Sequence, residues 1–261
     1  MPRHTGRAGA GTDPAMSNSQ LVYGLHAVQS LLRRHPDRVL QLQLAERRDD
    51  PRVRAIEAMA REHGTKVLRV DAQALQKAVG DVAHQGVAAE VLPLAPWSED
   101  DLVGALTESP LILALDGVQD PHNLGACLRS ADAFGVNAVI APKDRAVGLN
   151  ATVEKVACGA AETVPYITVT NLARTLRELK ERDIWVVGAD SEAETDLHGF
   201  RHSGALAWVL GAEGEGLRRL TRETCDQLVS IPMLGSVESL NVSVSAGVCL
   251  FEARRQRTGG A

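Results

Sequence analysis

Residues 111–135 read LILALDGVQDPHNLGACLRSADAFG, and this stretch decides the fold of the second half of the chain. An apolar strand over Leu111–Leu115 is predicted to end before Pro121, and Asn123 can cap the helix that follows. The helix is predicted to end at about Phe134, where Gly135 stops it. Its apolar side chains fall on one helical face: Leu124, Cys127, Leu128 and Ala131.

Two polar residues of this stretch lie off the apolar face. Because they follow a buried strand, we expect Asn123 and Arg129 to face a cleft as substrate-handling groups. An ordinary alternative stays open, in which the helix is only amphipathic and Arg129 pairs with Asp132 or Asp120 at the surface.

Two later segments repeat the transition from strand to polar loop to helix. A strand at 206–210 continues into LGAEGEG at 210–216, whose glycines allow close approach to a ligand beside Glu213 and Glu215. A tight turn explains that loop equally well. The third segment is IPMLGSVESLNVSVS at 231–245, where Ser239 or Asn241 is predicted to cap the last helix.

The three segments, in this order, resemble the signature motifs of the SpoU (TrmH-type) branch of the SPOUT RNA methyltransferases, over about 111–257. The resemblance implies an α/β domain with a trefoil knot that binds S-adenosyl-L-methionine between the second and third loops. The sequence pattern by itself predicts only an open α/β sheet. Its strands are predicted near 111–115, 137–141, 164–169, 184–189, 206–210 and 228–231.

The resemblance also implies roles for individual residues. The catalytic positions are Asn123, Arg129, Glu213, Ser239 and Asn241. The cofactor-binding positions are Gly211, Gly214, Ile231, Met233, Ser239 and Leu240. In the family proposal Arg129 promotes loss of the 2'-hydroxyl proton. Because an arginine side chain is effectively always protonated in proteins, orientation of the hydroxyl and a neighbouring phosphate by Arg129 is the alternative.

Composition divides the chain into four parts. Residues 1–20 are rich in small residues and predict a disordered leader. Residues 21–92 predict a small α/β domain, which the resemblance implies is a ribosomal-protein-like, RNA substrate-binding domain. Residues 93–110 contain three prolines and four acidic residues and predict a linker. The resemblance implies that residues 111–261 are the catalytic domain.

The pattern within the first domain predicts helices at 22–32 and 50–63 and strands at 39–44 and 66–70. His84 and Gln85 match a loop of the substrate-binding domain, so RNA contact is an interpretation of them, although an ordinary turn explains them better. In the resembled enzymes the segment with Lys143 and Arg145 borders the RNA. These two are candidate phosphate contacts, and surface charge without a role is the alternative.

Charge and composition limit the class of function. The formal net charge is −5, and residues 21–92, with eleven Lys/Arg and nine Asp/Glu, are the only predicted folded part with a positive balance. Aromatic residues make up 3% of the chain, so extensive base stacking is not expected.

The four cysteines show no C-x-x-C pair, which predicts buried thiols in a reducing compartment and no metal site. A phosphate-binding Walker loop is also missing from the sequence.

The resemblance implies methylation of a guanosine ribose in 23S rRNA. The alternatives are a sister enzyme acting on tRNA or another rRNA site, and a non-catalytic RNA-binding assembly factor.

Neither a signal peptide nor an apolar run of about 20 residues occurs, so we expect a cytoplasmic protein without membrane contact. The resemblance implies a homodimer, which would cover Val248, Leu250 or Phe251. The last helix could instead simply cap its own sheet.

Overall fold

The computed structural model describes residues 19–80, 82, 84–92 and 97–258, so residues 1–18 of the predicted leader lie outside the described part. The chain divides into two compact units, one up to residue 95 and one from residue 96. Both units are built from strands and helices, and the predicted α/β fold class is confirmed.

The first unit is a mixed four-stranded sheet with helices on both faces. Its strands are β1 Gln20–Tyr23, β2 Val39–Ala45, β3 Lys66–Val70 and β4 Val87–Val91, and its helices are α1 Leu25–Arg34, α2 Pro51–Glu62 and α3 Ala72–Val79. The strand order is β1-β4-β2-β3, with β4 antiparallel to both of its neighbours. Buried residues of α1 and α2 pack on one face, and Leu75 of α3 packs on the other.

The start of this unit differs from the prediction. Val22 and Tyr23 lie in β1, where they pair with β4, and not in a helix. Gly24 follows with a φ of 93° and separates the strand from α1. The other three predicted elements are confirmed within two residues at each end. The first strand was missed because its partner lies more than 60 positions later in the chain.

The second unit is a seven-stranded sheet in which every pair of neighbouring strands is parallel. Its strands are β5 Leu111–Asp116, β6 Ala138–Pro142, β7 Tyr166–Val169, β8 Trp185–Ala189, β9 Thr195–Asp196, β10 Leu206–Gly211 and β11 Gln227–Ser230. The six predicted strands are confirmed, and β9 was not predicted. Their order is β7-β6-β5-β10-β8-β11-β9, so β10 and β11 enter between strands formed earlier in the chain. The knot itself stays a prediction.

Helices cover both faces of this sheet. They are α4 Leu102–Ala105, α5 Pro121–Ala133, α6 Ala151–Ala157, α7 Leu172–Lys180, α8 Arg219–Thr224 and α9 Val242–Thr258. Successive strand residues point to opposite faces, so Leu113 of β5 packs with α5 and α9, whereas Ala114 packs with α7. Sheets of this kind are buried on both sides, and the core is therefore split into two layers.

The segment predicted as a linker carries some structure of its own. A single 3₁₀ turn spans Glu99–Asp101 and leads into α4, where Leu102 is buried against the second core layer. Glu99 forms an ion pair with Arg174 of α7 over 2.7 Å. Residues 97–106 are therefore part of the second unit and pack against its α7 side.

The caps of α5 and α9 show which polar side chains bind the first free amides of each helix. The carboxylate of Asp120, and not the Asn123 side chain, accepts the first free amide of α5, at 2.7 Å from the nitrogen of His122. The predicted cap was therefore wrong, because Pro121 already occupies the first helical position, where proline is favoured. Asn123 lies in the first turn, and its side chain does not cap the helix. At α9 the cap is Asn241, which accepts from the Ser243 nitrogen at 2.9 Å.

Two further expectations, one about the apolar residues of α9 and one about the cysteines, are corrected by the exposure of these side chains. Leu250 of α9 is fully buried within its own unit and Val248 is partly buried, whereas Phe251 is 57% exposed. Cys127 and Cys249 are buried as predicted, but Cys158 is exposed and Cys225 is only partly covered. Cys158 ends α6 in the left-handed conformation with a φ of 53°, which turns it out of the core.

Candidate active site

The three motif segments follow β5, β10 and β11. Because the strands are parallel, the loops at their carboxyl ends lie along one edge of the sheet, where open α/β sheets bind ligands. β5 and β10 are neighbours, and β8 lies between β10 and β11. The loop after β8 therefore reaches the same edge.

Three side chains from the three segments meet in one hydrogen-bonded group, which we call the amide cluster: Asn123, Glu213 and Asn241. Nδ2 of Asn123 donates to Oε1 of Glu213 over 3.2 Å, and Nδ2 of Asn241 donates to Oδ1 of Asn123 over 2.8 Å. Asn241 donates to the same Glu213 oxygen as well. One carboxylate oxygen therefore joins the three loops.

A cavity of about 450 Å³ opens beside this cluster, between the second and third loops. Its size is typical of a small-molecule site. Glu213 lines it, and so do all six residues predicted to bind the cofactor: Gly211, Gly214, Ile231, Met233, Ser239 and Leu240.

The conformation of the second loop requires glycine at Gly211 and favours it at Gly214. A Cβ atom on Gly211 would lie 2.1 Å from the backbone of Gly216, which no real structure tolerates. The loop folds back on itself through a hydrogen bond from the Gly216 nitrogen to the Ala212 oxygen, at 3.0 Å. Gly214 has a φ of 78°, which favours glycine. Main-chain groups are thereby brought to the wall of the cavity.

One further part of the cavity lining was not predicted from the sequence. Ala189 at the end of β8, the three residues that follow it and Arg222 of α8 also line the cavity. Arg222 pairs with Asp190 over 2.8 Å, and Asp190 accepts from the Glu192 nitrogen at 2.9 Å. The strand was predicted at 184–189, but nothing in the sequence places it between the motif strands.

Arg129 does not join the amide cluster. Six helical residues span about 600°, so the side chains of Asn123 and Arg129 point about 120° apart around α5. Nη1 of Arg129 lies 3.9 Å from Sγ of Cys158, and its side chain is exposed. Of the two carboxylates near Arg129 in sequence, Asp120 caps α5, and Oδ1 of Asp132 accepts from the Thr163 hydroxyl at 2.5 Å.

The four predicted RNA contacts fall into two groups. Oε1 of Gln85 accepts from the Leu25 nitrogen at the start of α1, at 3.1 Å, and Nδ1 of His84 accepts from the Gly86 nitrogen at 3.1 Å. The Gln85 side chain therefore joins its turn to the start of α1, and the His84 side chain bonds within the turn. Lys143 and Arg145, in contrast, are exposed in the loop after β6, at the same edge as the amide cluster.

Two features are absent from the residues that the structure describes. Across these ranges no three His, Cys, Asp or Glu side chains gather as metal ligands. Nor does any helix traced there combine the length and apolar character of a membrane span.

Comparison with known proteins identifies the family. A family model described as the SpoU rRNA Methylase family matches residues 110–251, which is more than half of the chain. The chain belongs to the SpoU rRNA methylase family. A second model, described as RNA 2'-O ribose methyltransferase substrate binding, matches residues 21–97. The resemblance seen in the SpoU motifs is thus confirmed over both parts of the chain.

Similar members of the SpoU family are known at full length. The 23S rRNA (guanosine-2'-O-)-methyltransferase RlmB of Nitrosomonas europaea is 56% identical over 248 residues, which cover 94% of this chain and 95% of the relative. The RlmB protein of Pseudomonas aeruginosa is 57% identical, covering 93% and 99%. Among solved structures, the SpoU methyltransferase AviRb of Streptomyces viridochromogenes, in complex with the cofactor AdoMet, has a TM-score of 0.76 at 26% identity, covering 94% and 92%.

Proposed function

We propose that this chain transfers a methyl group from S-adenosyl-L-methionine to the 2'-hydroxyl of a guanosine in 23S rRNA. The observation that carries the proposal is the cavity lined by all six predicted cofactor residues next to the amide cluster. The names of the relatives with 54–57% identity support the substrate and the reaction. The AdoMet complex of AviRb supports the donor.

The residues at the cavity fit this cofactor. When bound, S-adenosyl-L-methionine supplies an activated methyl group on a sulfonium. The backbone of 211–216 offers hydrogen-bonding groups, and Ile231 and Leu240 offer apolar contact, a mixture that holds an adenosine by shape and by main-chain bonds. The amide cluster fixes the three loops relative to one another.

Arg129 is assigned to the substrate side of the reaction. Its guanidinium is exposed, so an anionic group of the substrate can reach it. We assign it to orienting the ribose hydroxyl and a neighbouring phosphate and to stabilising the charge that develops on the oxygen. Ser239 lines the cavity and belongs to the same site.

The RNA is proposed to contact both units. Lys143 and Arg145 are exposed cations beside the site and are assigned to phosphate contacts. Residues 21–92, within the first unit, are assigned to RNA substrate binding, supported by the family description that matches them. Because bacterial ribosomal RNA is transcribed and assembled in the cytoplasm, the reaction takes place there.

A homodimer is part of the proposal. Val244 and Phe251, on the outer side of α9, are 49% and 57% exposed, and a second copy would cover them. Sedimentation at low protein concentration tests this. A monomer that retains full cofactor affinity would count against the dimer.

Mapping ribose methylation in a deletion strain, its parent and a complemented strain tests the reaction. We expect one guanosine mark of 23S rRNA to disappear and to return on complementation. Loss of a tRNA mark instead would identify a sister enzyme. Calorimetry that detects no uptake of S-adenosyl-L-methionine, with or without RNA, would overturn the proposal.

A further inference from the structure

Asp116, the last residue of β5, has a carboxylate that is 0% exposed. Its two oxygens are both occupied by Arg218, which precedes α8. Oδ2 accepts from the Arg218 backbone nitrogen at 3.0 Å, and Oδ1 accepts from Nε at 2.5 Å. A buried carboxylate held by a charged fork and a backbone amide is a strong and directional contact.

The same residue also contacts the other end of the glycine-rich loop. In the pairing of β5 with β10, Asp116 lies opposite Gly211, the residue at which the loop begins. Its side chain holds Arg218, the residue that follows the loop. Asp116 therefore clamps both ends of 212–217, the segment we call the cofactor loop.

The cofactor loop carries groups that the proposed reaction needs. Glu213 belongs to the amide cluster, and all six residues of the loop line the cavity. With two glycines at positive φ, this segment has high conformational freedom when unrestrained. Ordering a loop on binding weakens affinity, and a loop that is already ordered avoids that cost.

We propose that Asp116 and Arg218 are positioning residues that hold the cofactor loop in its binding conformation before the cofactor arrives. The inference rests on the proposed function for the identity of the ligand. Neither residue belongs to the set that the sequence motifs assign to the site.

The variant Asp116→Asn tests the inference. An amide nitrogen at one of the two oxygen positions would face a donor of Arg218, so one contact is lost and the guanidinium is left without its carboxylate. Well below the unfolding temperature, we expect calorimetry to show S-adenosyl-L-methionine bound at least about tenfold more weakly than by wild type. In the absence of ligand, hydrogen exchange at the Gly216 and Arg218 amides should become faster.

Asp226→Asn is a matched control. Asp226 also accepts one backbone amide, from Val186 at 2.8 Å, and pairs with one cation, Lys180 at 2.8 Å. It lies at the amino ends of β8 and β11, away from the cavity. We expect this variant to lower the unfolding temperature while cofactor affinity and loop exchange stay within about twofold of wild type.

The outcomes separate the two proposals. Wild-type protein that binds no S-adenosyl-L-methionine would defeat the proposed function, and loop exchange would still report on the clamp. Unchanged loop exchange in Asp116→Asn, or an equal loss of affinity in the Asp226 control, would overturn the clamp. Should Asp116→Asn fold poorly, Arg218→Met removes the same contact from a side chain that is 40% exposed, and the same two measurements apply.

Discussion

The side-chain nitrogen of Asn241 donates to Oδ1 of Asn123 over 2.8 Å, although the two residues are 118 positions apart in sequence. Both amides also donate to Oε1 of Glu213. The Glu213 carboxylate thus serves as an acceptor that joins three loops. This geometry favours a positioning role for Glu213 over a role in proton transfer.

Substitution of Glu213 distinguishes these roles. Glutamine keeps an oxygen that accepts both amides and removes the charge, whereas alanine removes the acceptor. We expect Glu213→Gln to retain kcat/KM within about fivefold and Glu213→Ala to lose about 10- to 100-fold, in steady-state methyl transfer to 23S rRNA. Equal losses in the two variants would show that the charge is what the reaction requires.

Arg129 is expected to act on the substrate and not on the cofactor. Arg129→Ala should abolish methyl transfer while cofactor affinity, measured by calorimetry, stays within about threefold, because the side chain lies outside the residues that line the cavity. Arg177→Ala, which removes an exposed arginine from α7, should leave both quantities unchanged. Turnover of the Arg129 variant at the wild-type rate would refute the assignment.

Gly211 is expected to tolerate no side chain. Gly211→Ala places a methyl group against the backbone of Gly216, so the cofactor loop must shift. We expect a loss of about 1–3 kcal/mol in the free energy of unfolding, together with loss of cofactor binding. Gly148→Ala, at a position where a Cβ atom meets nothing within 4 Å, should change unfolding by less than about 0.5 kcal/mol in the same denaturant titrations. Equal stability of the two variants would contradict the steric argument.

The thiols should differ in reactivity with pH. Burial raises the pKa of Cys127, Cys225 and Cys249 to about 12, and the reactive species is the thiolate. A raised pKa lowers the thiolate fraction at any given pH below it, so these three should stay unreactive at pH 8 in the folded protein. We expect a thiol reagent to modify the exposed Cys158 alone, and all four cysteines after unfolding. Rapid labelling of folded Cys158→Ser would show that the other three thiols are accessible.

The sequence alone was sufficient for most of the local elements. The six main strands, α5 and the polar loops after β5, β10 and β11 follow from apolar runs, helix periodicity and glycine position, which act over a few residues. The choice of Asn123, Glu213 and Asn241 within those segments came from the resemblance to the SpoU motifs. Even so, the choice between Asp120 and Asn123 as the cap of α5 could not be made from residue type, since both side chains can accept an amide.

Only the tertiary structure decided which segments meet. Residues Gln20–Tyr23 form a strand because β4 pairs with them, and residues 189–192 line the cavity because β8 lies between β10 and β11. The contact between Asp116 and Arg218 joins positions 102 apart. Such pairings depend on strand order, which a parallel sheet sets through crossovers between distant segments, and no local pattern of residues encodes that order.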